Sequence, residues 1–245
     1  MLIPILNELF QQMLQLGIHP ASWKVARVLP IPKPGAELHS AKGYRPIALL
    51  NVLSKVMESL MKDRMSYILE TGHLLSDCQQ GFRQTRSTEL ALWRFVSSAS
   101  MALKTRHRCV AVALDIQSAY DTIDHSALLW KLRQKTLPRY MVAWTRAFLK
   151  HRTAVLLVND SEFPYPIQVG VPQGSPLSPT LFLVFIDDLL QQLPQVVHCQ
   201  AFADDLLIWD IVTTRGACPR GVQEALLMVA NWSTQWGMTF NVAKC

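Results

Sequence analysis

Apolar positions recur at helical spacing over residues 2 to 16. Leu2, Ile5, Leu6, Leu9, Phe10, Met13, Leu14 and Leu16 predict a helix stopped by Gly17 and Pro20. Val25 to Leu29 predicts a short strand, broken by Pro30 and Pro32. A turn or loop follows at Pro32-Lys33-Pro34-Gly35. Residues 36 to 46 are polar and irregular, and Tyr44-Arg45-Pro46 fixes an extended approach, because the residue before a proline is pushed out of the helical region. Helical spacing returns from Asn51 to about Leu69, carried by Leu53, Val56, Met57, Leu60, Met61, Met65 and Ile68. Ser54 stands at its cap or in its first turn, and Gly72 ends it. A polar loop with Gly81 spans Asp77 to Arg86. A helix follows from about Ser87 to Leu103, its cap lying within Ser87-Thr88-Glu89.

The second half mixes periods. Cys109 to Ile116 is nearly all apolar, as a central strand covered on both faces would be, and it carries Asp115 near its end. Helices are predicted from about Ser126 to Gln134 and onward from Pro138, the latter with Met141, Trp144 and Phe148. Thr153 to Val158 and Phe163 to Gln168 read as strands around a turn at Asn159-Asp160. Gly170 to Pro179 is a stiff loop, and an apolar helix runs from there to about Leu193. Val196 to Ala201 and Leu206 to Trp209 flank the pair Asp204-Asp205, the pattern of a hairpin with acidic residues at its turn. After a loop at Thr213 to Gly221, a helix from Val222 to Trp236 ends at Gly237, and a strand starts at Met238. This succession predicts an α+β fold. An N-terminal helical and loop-rich lobe reaches about residue 107, and a lobe built on a small antiparallel sheet backed by helices follows.

Composition narrows the class. Half of the 245 residues are hydrophobic and 17% are charged, enough for a substantial core. The net charge is +6, from 24 basic and 18 acidic side chains scattered along the chain, a mild pointer to a polyanionic partner. The central apolar run Leu181 to Ile186 is too short to cross a bilayer, and the apolar N-terminus lacks the basic leader of a signal peptide. Five widely spread cysteines without metal-ligand spacing are expected to be reduced thiols of an intracellular protein. The seven histidines form no zinc pattern.

Candidate chemistry centres on carboxylates. Adjacent Asp204 and Asp205 repel each other and are best tolerated beside a divalent cation; taken alone, they also suit a solvated acidic turn. Antiparallel neighbouring strands would bring Asp115 to the same sheet edge. Three convergent carboxylates call for Mg²⁺ or Mn²⁺, hard cations that prefer oxygen ligands.

Seven motifs in order then carry a resemblance. They are Gly17, Pro20, Trp23 and Lys24 with Pro30-Ile31-Pro32-Lys33-Pro34-Gly35; Tyr44 to Asn51; Gln80-Gly81-Phe82-Arg83 with Ser87-Thr88; Ala113 to Asp121; Gly170 to Pro179; Phe202-Ala203-Asp204-Asp205; and Trp236-Gly237 through Asn241 and Lys244. Together they resemble the reverse transcriptase domain of a non-LTR (LINE-type) retrotransposon.

The resemblance implies the fingers and palm of a right-hand polymerase, mainly fingers over 1–107 with the helix at about 87–103 leading into the palm. Palm then spans 108–245, with a fingers-like insertion at about 125–160 and the family's thumb and endonuclease regions lying outside the chain. It implies an RNA-directed DNA polymerase that uses two Mg²⁺ or Mn²⁺ ions, an RNA template, a DNA primer and dNTPs, in the nucleus or cytoplasm and with no membrane partner. Asp115, Asp204 and Asp205 would be catalytic and hold metal, with the carbonyl of Ile116 as a further ligand. Lys244 would act on the leaving pyrophosphate. Lys33, Arg45, Tyr120 and Gln173 would bind the nucleotide, Tyr120 as the gate against a 2′-hydroxyl. Gly81, Phe82, Arg83, Arg86, Gly174 and Ser175 would line the template and primer. Asp121 and Asp124 are expected at turns and caps. A catalytically silent nucleic-acid-binding remnant and a group II intron-type reverse transcriptase share much of this pattern.

Overall fold

A computed structural model describes residues 2–35, 39–40, 43–158, 161–212, 219–243 and 245. The elements in chain order are α1 (Leu2–Leu16), a 3₁₀ turn (Ala21–Trp23), β1 (Val25–Pro32), β2 (Tyr44–Leu49), α2 (Val52–Thr71), α3 (Thr88–Lys104), β3 (Arg108–Gln117), α4 (His125–Gln134), α5 (Arg139–Leu149), β4 (Arg152–Val158), β5 (Ser161–Ile167), α6 (Ser178–Gln192), β6 (His198–Phe202), β7 (Asp205–Val212), α7 (Arg220–Trp236) and β8 (Thr239–Phe240). They divide into two compact units, one of residues 1–69 and 123–181, the other of 70–122 and 182–245. Each unit has its own sheet, so the fold is mixed α+β, as expected. The expected turn at Asn159-Asp160 lies outside the described residues, as does most of the loop after β7.

The first unit holds the sheet β2-β1-β4-β5. β1 runs antiparallel to β2 and parallel to β4, and β4 and β5 form an antiparallel pair. The expected break of β1 at Pro30 does not occur: the strand continues to Pro32. β4 accompanies β1 only from Val25 to Val28, so beyond that point β1 has a single neighbour. There Pro30 lies opposite Pro46, a pair that has no N–H to donate and therefore occupies a non-hydrogen-bonded position of the ladder. Residues 44 to 46, expected to be an extended approach at the end of an irregular stretch, join β2. The cap of α2 is Asn51, whose Oδ1 accepts from the amides of Leu53 (2.9 Å) and Ser54 (3.4 Å). Ser54 stands in the first turn, one of its two expected places, and is buried, donating to Glu58 and meeting Nε2 of His19 at 3.3 Å.

His19 is the polar centre of this unit's core. Trp23, Trp144 and Phe148 surround its ring edge-on at 5.4–5.6 Å, and Arg152 stacks its guanidinium over Phe148 at 4.9 Å. Since Ser54 gives its proton to Glu58, it accepts from Nε2–H of His19, which leaves Nδ1 unprotonated and without a hydrogen bond.

The second unit holds the sheet β6-β7-β3-β8, antiparallel throughout. Leu114, Ile116, Leu206 and Ile208 are buried, while Ala111 and Ala113 on the other face of β3 are exposed. The apolar run of β3 is thus exposed at Ala111 and Ala113 on its second face, although Trp209, opposite Ala111 on that face, is itself buried. α3 reaches the sheet through Phe95 against Trp209, with ring centroids 5.4 Å apart. α6 is sealed by α7: Phe185 meets Trp232, whose Nε1 donates to Asp188 at 2.9 Å. Ser87 caps α3, accepting from Leu90, and Gly237 ends α7 in the left-handed region.

The cysteines are not all the reduced thiols expected. Cys78 and Cys199 form a disulfide, with Cα atoms 5.7 Å apart across 121 residues of sequence. The segment around Cys78 lies alongside β6, joined by hydrogen bonds from Ala201 N–H to Cys78 O (2.8 Å) and from Gln80 N–H to Ala201 O (2.7 Å). That pairing, invisible in the spacing, brings the two sulfurs together. Cys109 and Cys245 are free thiols.

Burial, then the charges of Arg152 and Lys24, hold the pKa of His19 down from 6.5 to about 3. The folded unit keeps the ring neutral while the unfolded chain protonates it, so stability present above pH 6.5 is lost as the pH falls from 6.5 toward 3. The expected slope is on the order of 1 kcal/mol per pH unit. Urea unfolding across that window checks it: His19→Gln should flatten the slope, and an unchanged slope would assign the acid sensitivity elsewhere.

Candidate active site

The apolar segments before and after Asp204-Asp205 build the expected hairpin. β6 and β7 pair from His198 opposite Trp209 to Phe202 opposite Asp205, leaving Ala203 and Asp204 as a two-residue turn. Ala203 has φ 57°, in the left-handed region that alanine rarely adopts. Asp205 is the first residue of β7 and is exposed; Asp204 is half-buried. β3 runs beside β7 in a register that sets Asp115 directly opposite Asp205, and Ile116 N–H donates to Asp204 O at 3.4 Å. Directly opposed residues on antiparallel strands share a face. Asp115 and Asp205 therefore emerge together from the open face that carries Ala111 and Ala113. β8 closes the far edge: Asn241 N–H donates to Asp115 O at 2.8 Å, and Ile116 pairs with Phe240.

The donor chemistry suits a hard divalent cation, since these are carboxylates with a backbone carbonyl nearby and no thiolate or imidazole. Among the described residues, no three acidic, histidine or cysteine side chains are gathered into a metal-holding group. The backbone register, rather than an assembled ligand cage, is what brings the aspartates to one edge.

Tyr120 follows β3 and stacks on Phe182 with ring centroids 5.5 Å apart. Burial first, then the charge of Asp204, push its phenol up to about 12. The ring is thus a neutral hydroxyl at physiological pH, within the electrostatic reach of Asp204. Asp124 caps α4 by accepting from Ala127 N–H at 2.7 Å, and Asp121 closes a turn through its amide to Ser118 O at 2.8 Å.

The loop bearing Gln173, Gly174 and Ser175 lies in the other unit, as do Lys33 and Arg45. Gln173 O accepts from Ala48 N–H at 2.7 Å. Gly174 has φ 116°, and a Cβ there would stand 2.6 Å from Ala48 O, so glycine is required twice over. Ser175 is buried and accepts from Leu177 N–H at 3.1 Å; Ser178 Oγ donates to Pro172 O at 2.9 Å. These bonds make the loop a fixed lead into α6. Lys33 stands one residue past the end of β1, and exposed Arg45 pairs with Ile31 near the same end of the ladder.

The segment from Gln79 to Arg86 packs behind the aspartate turn. A Cβ at Gly81 would stand 2.4 Å from Ala203 N, so its bare backbone is what permits the contact. Phe82 is exposed with φ 55°. The Arg83 side chain is buried, gripping both carboxylate oxygens of Glu70 at 2.8 and 2.7 Å and the carbonyl of Ser76 at 2.7 Å. Arg86 holds Asp77 through its carboxylate at 2.6 Å and its carbonyl at 2.8 Å. Lys244 lies outside the described residues. One residue escaped the sequence reading: Gln79, 1% exposed, hydrogen-bonds both backbone groups of Ala203. Its only signal in the sequence is the doubled glutamine before Gly81, of which Gln80 carries the motif resemblance.

A four-stranded antiparallel sheet with an aspartate strand beside an Asp-Asp hairpin defines a palm of the polymerase type. A profile described as reverse transcriptase (RNA-dependent DNA polymerase) matches residues 31–245, and the chain belongs to that family. Within it, the chain is a reverse transcriptase domain of the non-LTR, LINE type, of the fingers and palm region. It is 33% identical to the probable RNA-directed DNA polymerase from transposon BS of Drosophila melanogaster, over 96% of this chain and 27% of that protein. It is likewise 33% identical to the RNA-directed DNA polymerase from mobile element jockey of the same organism, over 99% of this chain and 27% of that protein. The chain thus spans about a quarter of the length of these relatives. Its fold is similar to telomerase from Candida albicans in complex with a telomeric RNA fragment, at TM-score 0.67 and 12% identity over 97% of this chain and 45% of that one.

Gly174→Ala is expected to lower the unfolding free energy by about 2 kcal/mol, through left-handed strain and displacement of the Ala48 contact. Chemical denaturation of the variant against the wild type measures this; equal midpoints would mean that the loop is not held as described.

Proposed function

We propose that this chain is the catalytic core of an RNA-directed DNA polymerase acting in retrotransposition. The observation that carries the reading is the register that sets Asp115 opposite Asp205 with Asp204 at the adjoining turn, in a chain of this family. In the reaction, a primer 3′-hydroxyl attacks the α-phosphate of a dNTP paired to template RNA, a new P–O bond forms and pyrophosphate leaves. Asp115 and Asp204, with Asp205 and the Ile116 carbonyl, would hold two Mg²⁺ or Mn²⁺ ions, whose chemistry is to neutralise phosphate charge and lower the pKa of a bound hydroxyl.

The remaining roles belong to the protein's own groups. Lys33 and Arg45 grip the triphosphate, Arg45 with a two-pronged contact that lysine cannot make. The Tyr120 ring, held by its stack on Phe182, occupies the space of a ribonucleotide 2′-hydroxyl and so favours deoxynucleotides. Gln173 presents an amide that donates and accepts at once, on a loop whose stiffness suits a positioning role. Gly174 and Ser175 continue that loop along the template. Phe82 is available for stacking against a template base, while Gly81, Arg83 and Arg86 shape the loop that presents it. Lys244 is assigned to the leaving pyrophosphate.

The division follows the same reading. Residues 1–107 are mainly fingers and 108–245 palm, with a fingers-like insertion over about 125–160. Grouping of 123–181 with 1–69 in one compact unit supports that insertion, and grouping of 70–122 with the second sheet supports α3 as the lead into the palm.

Primer extension on an RNA template with dNTPs and Mg²⁺ or Mn²⁺ tests the proposal. Wild type should extend, and Asp204→Asn should lose at least about 100-fold in rate, as removal of a charge-stabilising group does. Template binding without extension, unchanged by Asp204→Asn, would favour a silent nucleic-acid-binding remnant.

A further inference from the structure

The turn that carries Asp204 is held from behind by one side chain. Gln79 is 1% exposed, and its Oε1 accepts from Ala203 N–H at 3.2 Å while its Nε2 donates to Ala203 O at 3.3 Å. The same Oε1 accepts from Gly81 N–H at 2.9 Å. A single planar amide thereby satisfies both backbone groups of the residue immediately before Asp204. Ala203 is buried, and as the first of two turn residues it stands outside the β6–β7 ladder. A buried backbone group without a partner is costly, so the amide answers a need of the turn.

The conformation being held is one that alanine resists. Ala203 sits at φ 57°, and such residues persist only where the surroundings over-determine them. Here the surroundings are specific. The segment from Cys78 to Gln80 runs parallel to β6, bonded to both backbone groups of Ala201 and tied to Cys199 by the disulfide. This track delivers Gln79 to the turn. Gly81 lets the backbone close in, since any Cβ there would strike Ala203 N.

Only glutamine fits this task among residues of its size. Glutamate offers no donor for Ala203 O, methionine neither donor nor strong acceptor, and asparagine is one methylene short.

We propose that Gln79 is a positioning residue for the polymerase site: its amide fixes the left-handed backbone at Ala203 and, through it, the direction in which Asp204 presents its carboxylate. The inference rests on the proposed nucleotidyl-transfer reading for its catalytic consequence. Its structural consequence stands on the geometry of the turn alone.

The test uses the full chain, Gln79→Met, Asp204→Asn, Ala203→Gly and the Gln79→Met/Ala203→Gly double variant. Three quantities are read: hydrogen exchange of the Ala203 amide, Mn²⁺ affinity by electron paramagnetic resonance, and the kcat and KM of primer extension. In Gln79→Met, the Ala203 amide should exchange at least about tenfold faster while the amides of β3 keep their protection. Mn²⁺ binding should weaken about tenfold, the scale on which partners that orient a metal ligand act, and kcat should fall while KM for dNTP holds.

Ala203→Gly removes the conformational strain, so in the Gln79→Met background it should recover part of both losses. That recovery is not expected of a residue that merely stabilises the fold. The proposal is overturned if Gln79→Met leaves Ala203 protection and Mn²⁺ affinity at wild-type values. It is equally overturned if exchange rises evenly across the second sheet and Ala203→Gly recovers nothing. A wild type that binds Mn²⁺ through Asp204 but extends no primer would fail the polymerase reading, while the exchange and affinity measurements still decide the role of Gln79.

Discussion

Eight consecutive residue pairs, from Arg108 opposite Val212 to Asp115 opposite Asp205, hold β3 and β7 in one register. Side chains alternate between faces, so a slip by one residue would send Asp115 to the side where Leu114 and Ile116 are buried. Burial of Leu206 and Ile208 on one face and of Trp209 against Phe95 on the other opposes that slip, since each side chain would have to change faces. The position of the carboxylates is thus fixed by the burial of their apolar neighbours, Leu114 and Ile116 beside Asp115 and Leu206 beside Asp205. The aspartates themselves, which repel, contribute nothing favourable to the pairing that brings them together.

The cost of that arrangement falls on the turn. Two residues must reverse the chain, and the first is an alanine in a glycine-like conformation. The segment from Cys78 to Gly81 over-determines that turn from outside the hairpin, by a disulfide, two strand-like hydrogen bonds, a glutamine amide and a bare glycine backbone. Arg83 then anchors the segment to Glu70 at the end of α2, and the hydrogen bond from Arg83 holds the Glu70 carboxyl below its usual range. The motif at Gln80 to Arg83 therefore carries structural weight behind the site as well as any contact in front of it.

Much of this was legible beforehand because it rests on period and punctuation. The helices of Leu2–Leu16 and Arg139–Leu149, the hairpin around Asp204, the cap at Asp124 and the stop at Gly237 follow from apolar spacing, short polar side chains and glycine. Asp115, Asp204 and Asp205 are expected at one sheet edge only on the condition that their strands are neighbours, and the pairing of β3 with β7 supplies that condition. What escaped notice depends on partners distant in sequence. Pro30 sits inside a strand because Pro46 stands opposite it. Cys78 finds Cys199 because the loop before Gly81 runs beside β6. Gln79 was passed over for Gln80 because only the three-dimensional turn distinguishes which amide faces Ala203.

The central claim is that Asp115, Asp204 and Asp205 form the divalent-cation site of a polymerase palm. Anomalous diffraction at the manganese edge, from crystals of the wild-type chain soaked in Mn²⁺ with primer, template and dNTP, addresses it most directly. The account predicts anomalous peaks within coordination distance of Asp115 and Asp204, lost in Asp204→Asn crystals. Manganese bound elsewhere with that edge left bare, or peaks indifferent to the substitution, would contradict it.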